Sequence, residues 1–104
     1  MKKIQIVIAD DHVLIRDGIK ALLQSIEEFE VVGEAADGEE LIKLIDTLNP
    51  EIVLLDITMP KKTGIEVISE VKQYNHTVKF IMLSMHDNPE YVLKSVQAGA
   101  LSYL

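Results

Sequence analysis

Apolar and polar residues alternate in blocks along this chain, and the blocks have the lengths of strands and helices. The clearest block is Ile52–Asp56, where four apolar residues follow one another and end on a carboxylate. Such an unbroken run is typical of a strand buried on both faces, as in the middle of a parallel sheet. A second run, Ile4–Ala9, ends on the acid pair Asp10 and Asp11. If the two strands are neighbours, three carboxylates converge at one edge of the sheet, where open parallel sheets bind their ligands.

The remaining blocks alternate between helical stripes and strand-like runs, which is typical of a βαβ series with helices on both faces of a parallel sheet. Further strands are expected over 31–36, 79–84 and 100–104, the first of them at an edge because it is less apolar. A turn is expected over 27–30, and a fourth helix over 88–98. The buried stripes of the first three helices are predicted to be Ile15, Ile19, Leu22, Leu23 and Ile26, then Leu41, Ile45 and Leu48, then Ile65, Ile68 and Val71.

Polar residues mark where several helices begin or end. Asp37 can cap the second helix, with Glu40 at the capping-box position, and the pair Thr63 and Glu66 predicts a second capping box. The second helix is expected to end before Pro50, because the residue that precedes a proline is pushed out of the helical region.

Composition narrows the function classes. The chain has 104 residues, enough for a single domain, and no cysteine, which excludes disulfides and thiol catalysis. Its net charge of −7 disfavours direct binding to nucleic acid. No apolar run approaches the ~20 residues of a membrane span. We therefore expect a cytoplasmic protein that does not bind membranes.

The strand ends supply the candidate chemistry. Asp10, Asp11, Asp56 and Ser84 form the candidate site, whereas Asp37 is better explained as a helix cap. Clustered carboxylates repel unless a cation lies between them, and Mg²⁺ prefers a few carboxylates completed by water and phosphate oxygens. Aspartate can also act as a nucleophile that forms an aspartyl phosphate. Taken alone, however, an acid at a strand end can be only a cap or turn residue, and a lone hydroxyl such as that of Ser84 indicates little.

Five segments together resemble one family. They are Ile8–His12, Val53–Pro60, Thr63–Glu66, Leu83–His86 and Ala98–Leu104. In this order they resemble the receiver domain of bacterial two-component response regulators. The resemblance implies an α/β, flavodoxin-like (βα)₅ three-layer sandwich with strand order 2-1-3-4-5 and a site between the first and third strands.

The resemblance also implies roles for individual residues. Asp56 would be the phosphoacceptor, supplied by a sensor histidine kinase. Mg²⁺ (or Mn²⁺) would be held by Asp10, Asp11, Asp56 and the backbone carbonyl of Thr58. Such a domain assists its own phosphorylation and dephosphorylation but is not a turnover enzyme.

Switching would involve two further residues. Ser84 would be the hydroxyl that moves toward the phosphate, and Tyr103 the aromatic side chain whose rotamer follows. This is a two-state coupling of the kind that phosphorylation commonly biases. His12, by contrast, is expected to be a feature of the helix start rather than an acid or base.

Segments 11–18 and 84–87 resemble more narrowly the NarL/FixJ/LuxR subfamily, whose regulators carry a C-terminal helix-turn-helix. We therefore expect residues 1–104 to be a C-terminally truncated receiver domain, with a DNA-binding effector domain downstream. The family's lysine at the end of the fifth strand would fall just beyond Leu104, and the last helix is also expected to be missing. Without that helix, apolar surface on one face of the sheet would be uncovered. We therefore expect a homodimer or a strand- or helix-exchanged oligomer.

Three other interpretations of the function stay open. A receiver-like interaction module that phosphorylation does not control is the main alternative. A phosphatase of the haloacid-dehalogenase type would need two acids separated by a spacer, which Asp10 and Asp11 lack. A flavodoxin-type cofactor binder would need a Ser/Thr/Gly-rich loop after the first strand instead of an acid pair.

Overall fold

A parallel sheet forms the middle layer of the structure, a computed structural model that describes residues 3–56 and 59–83. Within these ranges the chain alternates strand and helix throughout, as predicted. The elements are β1 (Ile4–Ala9), α1 (Val13–Gln24), β2 (Phe29–Ala35), α2 (Gly38–Leu48), β3 (Ile52–Asp56), α3 (Gly64–Val71) and β4 (Lys79–Leu83). The predicted fourth helix and fifth strand lie outside the described residues.

The strands are all parallel and are ordered β2-β1-β3-β4. This order confirms the predicted flavodoxin-like arrangement over the described part of the chain, with β2 at an edge and β1 beside β3. The chain passes from β1 to β2 on one side of β1 and then crosses to β3 on the other side. The direction in which strands are added therefore reverses between β1 and β3. A crevice at the carboxyl ends of these two strands is where this topology places a ligand.

The core consists of two apolar layers, one on each face of the sheet. Alternate residues of β1 and β3 point to opposite faces. One face packs against α1 through Ile6, Ile8, Ile19, Leu23, Ile52 and Leu54. The other packs against α2 and α3 through Val7, Ala9, Leu41, Ile45, Val53, Leu55, Val67 and Val71. Every residue of β3 is buried, as its unbroken apolar run predicts.

Both predicted ends of α2 and the predicted start of α3 are confirmed. Asp37 caps α2 by accepting a hydrogen bond from the backbone N–H of Glu40. Thr63 and Glu66 form a full capping box at the start of α3. At the end of α2, Asn49 leaves the helix through the left-handed region, with φ 46°, a conformation that asparagine tolerates better than most residues.

Some predicted positions are wrong. The segment 27–30 is not entirely a turn, because β2 begins at Phe29, whose side chain is buried. Ile15 and Ile65 were expected to face the core but are 38% and 60% exposed, and Val67 is buried in α3 instead. In α3 the contact face is rotated from the one predicted, whereas in α1 the predicted residues Ile19 and Leu23 are buried. The docking angle of a helix on the sheet sets this rotation, and periodicity alone does not specify it.

A hydrogen bond ties the end of α3 to α2, because the Tyr74 hydroxyl donates to Asp46 Oδ1 at 2.7 Å. This bond, together with burial, favours the neutral phenol and raises the pKa of Tyr74 to about 12. A pKa raised above the unfolded value of 10.0 stabilises the fold below pH 10. That contribution is lost as the pH rises toward 12.

We therefore expect a phenolate absorbance titration to show a late ionisation step that belongs to Tyr74. Asp46→Ala should remove the late step, whereas Asp17→Ala, which removes an exposed carboxylate from α1, should leave it in place. An identical titration curve for Asp46→Ala would show that this bond does not form in solution.

Across residues 3–56 and 59–83, none of the helices combines the length and the apolar composition that crossing a membrane requires.

Candidate functional site

The register of the sheet brings the acidic strand ends together. Ala9 at the end of β1 pairs with Leu55 in β3, so the next residues along each strand, Asp10 and Asp56, lie side by side. The backbone N–H of Asp10 also donates to the carbonyl of Ala35 at 3.0 Å, which extends the ladder with β2 by one residue. Asp10 and Asp56 are only 6% and 4% exposed. Two carboxylates are thus held at the edge of the apolar core.

Four side chains converge at this point. Asp10, Asp11, His12 and Asp56 each offer one ligand atom, and all four atoms lie within 4.8 Å of one another. Asp11 and His12 are exposed, so the cluster opens to solvent on one side. Three carboxylate oxygens form a donor set suited to a small, hard dication, which would also relieve their mutual repulsion. The residues present therefore fit a metal ion of this class.

His12 belongs to this cluster, which the sequence interpretation missed. It occupies the N-cap position of α1, but its ring turns back to the acids instead of capping the helix. Nδ1 lies 2.8 Å from Asp10 Oδ1 and 3.2 Å from Asp11 Oδ1. The hydrogen bond to Asp10, followed by the charge of Asp11, raises the pKa of the imidazole. The only sequence signal for this contact was that His12 directly follows two acids.

Arg16 is a second residue that sequence reasoning did not single out as part of the site. Its Nη1 donates to the backbone carbonyl oxygen of Asp10 at 2.7 Å, and its Nε donates to Glu34 Oε1 at 3.2 Å. Lys20 donates to the other carboxylate oxygen of Glu34 at 3.0 Å. The hydrogen bond from Lys20 is the main cause that lowers the pKa of Glu34, although partial burial opposes it. The turn that carries Asp10 and Asp11 is thereby connected to the edge strand β2.

The loop that follows β3 is held by the start of α2. The backbone N–H of Gly38 donates to the carbonyl of Pro60 at 3.2 Å. Lys61, which has φ 69°, places its ammonium 3.6 Å from Asp37 Oδ2. Met59 is buried against the core face shared by α2 and α3. The described part of this loop is therefore packed against the body of the domain.

The structure brings together three of the predicted site residues, namely Asp10, Asp11 and Asp56. Thr58, Ser84 and Tyr103 lie outside the described residues, so their predicted roles stay predictions.

Comparisons with known proteins agree with this geometry. The family model for the response regulator receiver domain matches residues 6–104. The transcriptional regulatory protein DegU of Brevibacillus brevis is 45% identical over 102 residues, which cover 98% of this chain and 43% of DegU. The chain spans about half the length of the curated relatives that it matches.

Solved structures give the same result at the level of the fold. The signal receiver domain of NarL from Mycobacterium tuberculosis superposes with a TM-score of 0.79 at 35% identity, covering 93% of this chain and 78% of that one. The isolated receiver domain of RcsB from Salmonella enterica, solved with the phosphomimetic BeF3−, gives 0.75 at 31% identity, covering 95% and 73%. These matches confirm the resemblance and the fold predicted from the sequence. The chain belongs to the response regulator receiver domain family and is similar to the receiver domains of NarL- and DegU-type regulators.

Proposed function

We propose that this chain is a phosphorylation-controlled signalling domain in which Asp56 accepts a phosphoryl group from a phosphohistidine on a sensor kinase. The observation that carries the proposal is the convergence of Asp10, Asp11 and Asp56 within 4.8 Å at the carboxyl ends of β1 and β3. Family membership and the fold agree with this role.

Asp56 is the proposed nucleophile. It ends β3, in which every residue is buried, and it pairs with Leu83 of β4, while the preceding residue, Leu55, pairs with Ala9 of β1. One carboxylate oxygen of Asp56 would form a bond to phosphorus as the bond from phosphorus to the histidine nitrogen breaks, with the nitrogen keeping the electron pair. The product is an acyl phosphate at residue 56.

Asp10 and Asp11 would neutralise the incoming charge indirectly, by holding Mg²⁺ together with Asp56 and the carbonyl of Thr58. When bound, the ion offsets the negative charge of the phosphoryl oxygens in a loose transition state. By the family resemblance, Asp11 would ligate the ion directly and Asp10 would contribute largely through water. Ser84 would then bond a phosphate oxygen, and Tyr103 would transmit the change to the surface.

The proposed output is control of transcription within a longer protein. DegU is a transcriptional regulatory protein, and this chain covers 43% of it. The net charge of −7 disfavours contact between this domain and nucleic-acid phosphates. DNA binding is therefore assigned to a separate effector domain, and the phosphorylated residue acts as a cytoplasmic switch rather than as a turnover enzyme.

The test is incubation of the chain with acetyl phosphate and Mg²⁺, followed by intact-mass measurement. We expect at most one phosphoryl group per chain, stable in acid and labile in base as an acyl phosphate is, and none when EDTA removes the metal. Phosphohistidine on a cognate kinase replaces acetyl phosphate in a parallel sample. No adduct with either donor would favour the interaction module that phosphorylation does not control. Many turnovers of a phosphate ester would favour an enzyme.

A further inference from the structure

The peptide that joins Asp10 to Asp11 is held by a side chain outside the acidic cluster. The carbonyl of Asp10 and the N–H of Asp11 belong to one planar peptide unit. Arg16 donates to this carbonyl at 2.7 Å. The orientation of that plane restricts where both carboxylates can point, because the Cα atoms of the two acids are attached to its two ends.

Arg16 is itself fixed from the other side. Its side chain is only 16% exposed, and its Nε is bound by Glu34 in β2. A guanidinium presents its donors in a rigid fork, so anchoring one edge on Glu34 restricts where the other edge can lie. Lys20, one helical turn further along α1, binds the second oxygen of Glu34 at 3.0 Å, but this half-exposed contact does not reach Asp10 and leaves the bond from Arg16 to Oε1 in place.

On the opposite side of Asp10, its N–H is bound to the carbonyl of Ala35 in the same strand as Glu34. The turn after β1 is therefore held by β2 at two points, directly through Ala35 and through the Arg16–Glu34 pair. The buried edge of the acid cluster has the rigidity that a metal site needs if its carboxylates are to be in place before the ion binds.

We propose that Arg16 is a positioning residue for the metal site, acting through the Asp10–Asp11 peptide and anchored by Glu34. In this role Arg16 would act through its contacts with the Asp10 carbonyl and Glu34 and not by binding the ion itself. The inference rests on the proposed function, because it assumes that Asp10 and Asp11 hold a divalent cation. Outer contacts that orient metal ligands commonly change affinity by tenfold or more when they are removed.

The test is Mn²⁺ binding by the unsubstituted chain and by Arg16→Met, measured from the free Mn²⁺ signal in electron paramagnetic resonance and competed with Mg²⁺. We expect Arg16→Met to bind Mn²⁺ about tenfold more weakly. Lys20→Met is the matched control, because it removes a cation from the same helix and the same carboxylate without touching Asp10. Its affinity should stay within about twofold of the unsubstituted chain, as expected for a half-exposed ion pair.

Arg16→Lys separates position from charge. Lysine keeps the positive charge but has no fork to join Glu34 to the Asp10 carbonyl, so weaker Mn²⁺ binding is expected here too. This variant also serves if Arg16→Met does not fold. Denaturation midpoints measured in EDTA show whether each variant is folded and how far its stability changes, independently of the metal.

Unchanged Mn²⁺ affinity in folded Arg16→Lys and Arg16→Met would overturn this inference and leave the proposed function standing. Equal weakening by Lys20→Met would also overturn it, because the effect would then follow charge or helix stability and not the peptide contact. If the unsubstituted chain binds neither Mn²⁺ nor Mg²⁺, both this inference and the proposed function fail.

Discussion

Replacement of Asp56 by asparagine is expected to abolish incorporation of a phosphoryl group. The amide nearly matches the carboxylate in shape, so the buried end of β3 should keep its packing. It lacks the negative charge and the nucleophilic oxygen that would attack phosphorus. The measurement is the intact mass of Asp56→Asn after incubation with acetyl phosphate and Mg²⁺, beside the unsubstituted chain.

The matched control is Asp17→Asn, which makes the same chemical change at an exposed position of α1. It should be phosphorylated to the same extent as the unsubstituted chain. Circular dichroism of both variants checks that they are folded. If Asp56→Asn were labelled as fully as Asp17→Asn, another residue would be the phosphoacceptor and the proposed role of Asp56 would be wrong.

A large loss of stability is expected from Gly38→Ala. A Cβ at this position would lie 2.5 Å from the Cβ of Lys62 and closer still to the Lys62 carbonyl oxygen. Among the described residues no glycine has positive φ, so the cost is steric and arises from the contact between α2 and the loop after β3. The backbone of that loop must move to make room. We expect the free energy of unfolding to fall by about 1–3 kcal/mol, the usual cost of overpacking.

Gly18→Ala is the control for this prediction and should have the opposite sign. Gly18 lies inside α1, and an added Cβ would meet nothing within 4 Å. Alanine in an exposed helix interior should raise the free energy of unfolding by roughly 0.5–1 kcal/mol, because glycine loses more backbone entropy on folding. Urea denaturation of both variants measures the two changes. Equal midpoints for Gly38→Ala and the unsubstituted chain would show that the loop after β3 moves to make room without loss of stability.

Local patterns were sufficient to predict the elements that carry the site. The apolar runs at β1 and β3 have the predicted bounds, and the acids that follow them meet as expected, since parallel strands present their carboxyl ends at the same edge. The caps at Asp37 and Thr63 were also predictable, because each depends on residues within one helical turn.

Features that depend on distant residues were not predictable in the same way. The contact from Arg16 to Glu34 joins residues 18 positions apart and depends on how α1 lies across the β1–β2 pair. The exposure of Ile65 and the burial of Val67 depend on how α3 rests on the sheet. Each is decided by tertiary packing, which a single sequence records only weakly.

The most direct test of the account is to locate the phosphoryl group by residue in the unsubstituted chain. Borohydride reduces an aspartyl phosphate to homoserine, so reduction followed by peptide mass spectrometry identifies the modified aspartate. We expect homoserine at position 56, dependent on Mg²⁺, with Asp10 and Asp11 unmodified. Homoserine at Asp10, Asp11 or any other aspartate, in place of residue 56, would contradict it.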